Sequence, residues 1–315
     1  MVKVSRVLDS VQIGAESTVG TEASSYDQTS LFGHITNCSL KVDHDVAELK
    51  GIQGGTTTGH KVSRLVDLKA TPSGTISFQP DTLKWMKYVM SDYAEGAGQY
   101  TLDDDSTALP SSLSIKGSYT SAKSVRALGS YLTNVKFSLT EGDIFTVTCD
   151  IVNLVTEDFT GTVSYTVPDV TPLIFSDGVF TFGGNEWDLK SLNISFNPKF
   201  AQRWGINTKT NNEKQFPTSI LRAGKLDIKY DGVCNNDSPT NELEAAWGST
   251  KAADQRSNSS CVLTFTDEAA DTHVITLTGR TTSEEITQSG SEEDYKTMSF
   301  NATGIDMSIV GDILA

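Results

Sequence analysis

Apolar and polar residues alternate with a period of two along most of the patterned segments of the chain. In Ile35–His44, Cys38, Leu40 and Val42 fall on one side and Asn37, Ser39, Lys41 and Asp43 on the other, which predicts an antiparallel strand with one buried face. Leu132–Thr140 repeats the pattern through Val135, Phe137 and Leu139, and Phe145–Val152 repeats it through Phe145, Val147, Cys149 and Ile151. Between them Glu141-Gly142-Asp143 supplies a glycine for a tight turn, so the two runs read as a hairpin. Before residue 150 a single segment has helical spacing: Pro80 suits a first turn, and Leu83, Met86, Met90 and Tyr93 follow at intervals of three or four. These elements predict a mostly β chain with one short helix in its first half.

The second half repeats the order of the first. Leu189–Asn197 (Leu192, Ile194, Phe196) matches Ile35–His44 at an offset of 154, and Lys296–Thr303 (Met298, Phe300, Ala302) matches Phe145–Ile151 at an offset of 151. Gly224–Tyr230 echoes Gly74–Phe78, each followed by a short helical segment, Leu83–Tyr93 and Glu242–Trp247, and Cys261–Thr266 answers Leu113–Ile115. Tandem duplication predicts such a series; the alternation common to any two β-rich halves is the other explanation. The boundary falls in Thr156–Gly184, where Pro168, Pro172 and several glycines interrupt the period, giving modules 1–168 and 169–315. Each module carries a long polar stretch between its first two strands, Asp45–Ser73 and Lys199–Ala223. Stretches of that length predict an arm that serves a partner or an assembly.

Composition narrows the function classes. The 315 residues carry a net charge of −15 with a pI near 4.6, and both halves are acidic: 13 basic against 19 acidic side chains in 1–168, and 12 against 21 in 169–315. No basic field is present to hold nucleic acid by its phosphates. No run approaches 18 apolar residues, and Met1-Val2-Lys3-Val4-Ser5-Arg6 lacks the core of a signal peptide, so a soluble, unprocessed protein is expected. The four cysteines are far apart, which favours free core thiols in a reducing cytosol and leaves a Cys234–Cys261 disulfide open.

Catalytic patterns are missing. Gly54–Ser63 approaches a phosphate-binding loop but places His60 where the lysine belongs, with Lys61 one position late. His34, His44, His60 and His273 are scattered and read as exposed loop or strand-end residues. Asp103-Asp104-Asp105 and Ser291-Glu292-Glu293-Asp294 lack the ligand alternation of a calcium loop, and Trp85 and Trp247 occupy matching places as core anchors. No enzyme activity, cofactor or metal is expected.

Gly14-Ala15-Glu16-Ser17-Thr18-Val19-Gly20-Thr21, the first strand with its long polar arm, and Ser73-Gly74-Thr75-Ile76-Ser77-Phe78 leading into a Leu83–Met90 helix resemble the major tail tube proteins of long-tailed phages and archaeal tailed viruses. The resemblance covers nearly the whole chain. It implies two tandem β-sandwich or barrel modules whose inner strands join around a ring, with rings stacked through the long arm and the terminal segments. The implied role is a structural subunit of the virion tail, assembled in the host cytoplasm, that forms the conduit for DNA ejection. Its partners would be other copies of itself, the tape-measure protein and viral DNA in the lumen without sequence-specific contact, and the tail terminator and baseplate proteins. Another tail, baseplate or connector component, or a surface β-domain adhesin, is the alternative. Two modules per chain predict three chains where six single modules would close a ring.

The strand faces opposite the core fit a lumen wall. They carry Asn37, Ser39, Lys41, Asp43, Lys136, Ser138, Thr146, Thr148 and Asp150 in the first half, and Ser191, Asn193, Ser195, Asn197, Thr297, Ser299 and Asn301 in the second. Such a wall needs hydration and few cations, since each phosphate–Lys contact acts as a brake; Asp43 and Asp150 are expected to offset Lys41 and Lys136. The contact between rings is expected at Gly51, Gly54, Gly55, Gly59, Lys61 and Arg64.

Overall fold

A computed structural model describes residues 10–49, 64–90, 92–96, 99–103, 109–120, 123–164, 169–205, 215–222, 227–235, 259–268, 270–288 and 294–310. The fold is mostly β, with every strand pair antiparallel. The first half contains β1 (Ser10–Ala15), β2 (His34–Leu49), β3 (Arg64–Gln79), β4 (Asp92–Gly96), β5 (Gln99–Asp103), β6 (Leu113–Thr120), β7 (Lys123–Thr140), β8 (Thr146–Val152) and β9 (Val155–Phe159). The second contains β10 (Gly178–Phe182), β11 (Asn185–Glu186), β12 (Leu189–Asn197), β13 (Phe200–Arg203), β14 (Ser219–Arg222), β15 (Asp227–Asn235), β16 (Ser259–Thr266), β17 (Thr272–Gln288) and β18 (Asp294–Val310).

The alternating runs form the spine. Strand neighbours run β2-β3-β8-β7-β12-β15-β18-β17-β16-β10-β11, so one sheet passes from the first half to the second through the β7–β12 ladder. The order β1-β6-β7-β8-β3-β2 of the first half recurs as β10-β16-β17-β18-β15-β12 in the second. The inward residues of both halves belong to one buried cluster, from Cys38, Ile76 and Phe137 to Phe196, Phe265 and Ile275. Phe137 sits at its middle, with ring centroids 5.7 Å from Trp85, 5.3 Å from Phe145 and 4.8 Å from Phe196. Burying a side chain of that size contributes about 2–3 kcal/mol.

Two expectations need correction, and one alternative left open is closed. The segment read as a helix from Leu83 to Tyr93 is a short 3-10 turn, Lys84–Tyr88, and the chain is a strand again by Asp92. Leu83, Trp85, Met86, Tyr88, Val89 and Met90 are all buried, with only Lys84 and Lys87 half-buried between them, so the segment acts as a plug between the layers. Its counterpart Glu242–Trp247 lies outside the described residues. Asp45–Ser73 is not a loop throughout: β2 continues to Leu49 and β3 starts at Arg64, pairing Leu49 with Arg64 and His44 with Ala70. With no buried face to serve, that part of the hairpin carries no apolar period, and its polar composition hid a strand pair. Finally, Cys261 is a free, buried thiol like Cys38 and Cys149, so no Cys234–Cys261 disulfide forms. Burial pushes the Cys38 thiol up to about 12 and raises Cys149 and Cys261 as well, which keeps all three protonated and inert.

The Gly14–Thr21 motif has a local physical meaning. Glu16 is buried, and its carboxylate accepts from Gly20 N–H (2.8 Å), Ser112 Oγ (2.6 Å), Ser114 Oγ (2.8 Å) and Gly129 N–H (2.8 Å). One side chain thereby pins the segment after β1 to β6 and β7. Gly129 adopts φ +62° with Leu154 against its Cα, where any side chain would clash. Glu16→Ala would leave these donors buried and unpaired and is expected to cost about 3 kcal/mol in urea denaturation, with Glu16→Gln losing less because one acceptor oxygen remains. A loss below about 0.5 kcal/mol for Glu16→Ala would show that the clip is dispensable.

Candidate functional site

The most extended functional surface is the sheet face turned away from the core. Strand register aligns its side chains into rows that cross both halves. One row reads Asn37, Ser77, Thr148, Lys136, Ser195, Lys229, Asn301, Arg280, one residue per strand from β2 to β17. A second reads Thr146, Ser138, Asn193, Asp231, Ser299, Ser283 across β8, β7, β12, β15, β18 and β17. The face is exposed at Asn37, Lys136, Ser138, Thr148, Asn193, Lys229 and Asp231, and half-buried at Ser77, Thr146 and Ser195. Cross-strand hydroxyl pairs hold it, Ser39 with Thr75 (2.8 Å) and Ser77 with Thr148 (3.2 Å).

The remaining residues expected on this face lie around those rows. Ser39 is opposite Thr75, which pairs in turn with Asp150; Ser191 is opposite Thr140 and, through Val233, in line with Thr297; Asn197 is opposite Asp227. Lys41 pairs with Ser73, and Asp43, opposite Thr71, lies beyond the end of β8 at the root of the hairpin arm. Lys41 Nζ does bond Asp43 Oδ2 at 2.8 Å. Asp150 instead accepts from Asn134 Nδ2 at 2.8 Å, across a bulge between Thr133 and Lys136, so it does not offset Lys136 as expected. Sequence reasoning missed Ser77, Thr75, Lys229, Asp231 and Arg280. Ser77, Thr75 and Lys229 were legible as the alternate positions of Gly74–Phe78 and Gly224–Tyr230, and Asp231 is the next alternate position after the second segment, whereas Arg280 follows a bulge at Thr278/Gly279 that resets the period.

The arms differ. In the first, β2 and β3 run past the sheet as a ladder exposing Val46, Leu65 (63% exposed) and Leu68 (60% exposed) in an otherwise polar setting. Arg64 lies in this ladder; Gly51, Gly54, Gly55, Gly59 and Lys61 lie outside the described residues. The second arm folds back: β13 and β14 pair with each other, Gln202 Nε2 donates to Pro72 O (2.9 Å) and Asn153 O (2.8 Å), and Trp204 Nε1 donates to Ala70 O (3.2 Å).

Among the described residues no three His, Cys, Asp or Glu side chains converge on a possible metal site, and no helix is long and apolar enough to cross a membrane. His34 is half-buried and His44 exposed at strand positions, but His273 is buried, with Nε2 2.9 Å from Asp267 Oδ2, because the turn joining β16 and β17 folds over it. Burial raises the Asp81 carboxyl pKa, with Asp267 adding to the rise and His273 and His34 opposing it. The chain matches no protein-family model and no curated protein.

Two large apolar side chains on a projecting ladder mark a contact surface. Leu65→Ser with Leu68→Ser removes no core contact, so stability should change by no more than about 0.5 kcal/mol while self-association, followed by light scattering, falls. A variant that unfolds instead would show that the arm packs into its own subunit.

Proposed function

We propose that the chain is a tail tube subunit, a structural virion protein that polymerises into stacked rings and forms the conduit for viral DNA ejection. The observation that carries this reading is the eight-strand sheet from β2 to β17, packed on one face, lined with small polar residues on the other, and lacking a second strand partner along β2 and along the part of β17 after Gly279 among the described residues. A sheet with two complementary edges either aggregates or closes, and closure into a ring leaves no edge exposed.

Ring size follows from strand count. At about 4.8 Å per strand, three chains with eight strands each give a wall about 115 Å around, or about 37 Å across before tilt widens it. Side chains reaching about 5 Å inward from each wall leave room for a DNA duplex. Two chains would give about 24 Å between walls, too narrow once side chains are counted. The trimer thus reproduces six quasi-equivalent modules from the tandem halves 1–168 and 169–315.

The polar rows suit the lumen. Ser, Thr and Asn hold water without gripping phosphates, and Lys41 is neutralised by Asp43. Lys136, Lys229 and Arg280 make one level of the wall more cationic than the rest, next to Asp231 in the adjoining row. The projecting β2–β3 arm, with its exposed leucines, serves stacking, so that the partners are further copies of the chain, the tape-measure protein and DNA inside, and terminator and baseplate proteins at the tube ends.

Negative-stain microscopy of the purified protein tests the reading: long hollow polymers with three copies per ring are expected. Deleting Gly51–Gly59 should leave a folded subunit that forms rings but not tubes. Discrete particles that never polymerise would instead favour a connector or an adhesin.

A further inference from the structure

We propose that one copy joins the next through an antiparallel strand pair between β2 of one chain and the far end of β17 of its neighbour, in a register that the chain itself specifies. Cys38–Val42 lies against Glu284–Gln288, with Leu40 opposite Ile286, Ser39 opposite Thr287 and Lys41 opposite Glu285. The inference deepens the ring reading and rests on it.

The template is the junction inside the chain. Strand β12 ends the strand order of its half, pairs with β15 on one side, and uses its other edge to pair with β7, placing Ser195 opposite Lys136 and Ile194 opposite Phe137. Strand β2 occupies the same place in the first half, pairs with β3 on one side, and has no neighbour on the other among the described residues. Strand β17 is likewise the counterpart of β7. Its first part, Thr272–Gly279, pairs with β16 as Lys123–Ser130 pairs with β6, and its remainder continues with β18 alone. One free edge therefore has the topology of β12, and the other has that of the β7 segment that receives β12.

Ladder geometry fixes the register without any sequence match. The row Lys41–Ser73–Val152–Tyr131 crosses β2, β3, β8 and β7, and the row Ser195–Lys229–Asn301–Arg280 crosses β12, β15, β18 and β17. Equating these rows sets Lys41 equivalent to Ser195 and Tyr131 to Arg280. Within the chain Ser195 meets Lys136, five residues beyond Tyr131; between chains Lys41 must then meet the residue five beyond Arg280, which is Glu285. Both receiving strands carry a bulge in that interval, between Thr133 and Lys136 in β7 and between Thr281 and Ser283 in β17, so the count survives the irregularity.

The result is chemically sensible. Ile286 takes the register position that Phe137 has inside the chain, opposite Leu40. Lys41, 62% exposed and bonded to the equally exposed Asp43, is set against an acidic residue. The internal junction offers Lys136 opposite Ser195, so a charge pair marks the external junction alone. A wrongly ordered contact, β2 against β7 or β12 against β17, would bring Lys41 to Lys136 or leave Glu285 facing Ser195, and the charges discriminate against both.

Cysteine cross-linking of assembled full-length protein tests the register. In a Cys234→Ser background, Lys41→Cys with Glu285→Cys should oxidise to covalent trimers on a denaturing gel, several-fold more readily than the shifted pair Lys41→Cys with Thr287→Cys. The charge test is independent: Lys41→Glu should abolish assembly and Lys41→Glu with Glu285→Lys should restore it. Tubes whose shifted pair cross-links better, or whose assembly ignores Lys41→Glu, overturn the pairing and leave the tube reading standing. Cross-linked chains that never form tubes keep the pairing and overturn the tube reading; protein that neither cross-links nor polymerises overturns both.

Discussion

Strand β7 must satisfy four neighbours at once, β6 and β9 along its first half and β8 and β12 along its second. An eighteen-residue strand can do this only by changing direction midway, since the layer closed by β6 and the layer carrying β12 are different parts of a curled sheet. The change is made at Asn134, which adopts φ 47° next to the bulge at Thr133/Lys136. Asparagine tolerates that conformation better than most side chains, and here its amide donates to Asp150 while Thr133 Oγ1 donates to Pro198 O at 2.6 Å. The bend then delivers Val135, Phe137 and Leu139 to the core and their alternates to the polar face. Without it the two halves would have no shared ladder and no shared core.

Much of this was legible from residue order. Alternation found β2, β8, β12 and the second half of β7, because each buries one face only and therefore shows a clean period, and it found β18 as well. The β7–β8 hairpin was legible for the same reason, with Gly142 at φ 79° in the turn. What was hidden has physical causes. The Lys84–Tyr88 plug shows a helical spacing of apolar residues that is the same for a short 3-10 turn as for a longer helix, so its length was not legible. The hairpin arm has a different problem, two wet sides, and so read as loop. His273 looked exposed because its burial depends on the turn carrying Asp267, which folds back over it, a contact that no local pattern records.

The polar face was legible residue by residue but not as a surface. That Asn37, Lys136, Ser195 and Asn301 share one row depends on register across six ladders and on bulges that a sequence does not display. The same holds for the charges: Lys41 and Asp43 are two positions apart and were paired by simple counting, whereas Asp150 was diverted to Asn134 by a bulge. Local rules predicted faces; only the ladders assigned neighbours.

The folded-back second arm has a mechanical side. Gln202 grips the carbonyls of Pro72 and Asn153 from one amide, Trp204 holds Ala70, and the Lys69 ammonium rests 4.8 Å from the Trp204 ring centre. These contacts lie beyond the last β3–β8 rung, where a pulled sheet would begin to peel one bond at a time. With the brace in place, a force dragging one half past the other meets the β7–β12 ladder and the brace together, loaded in shear rather than opened like a zip. In the proposed tube, that stiffness would sit at the seam between the two halves of each chain.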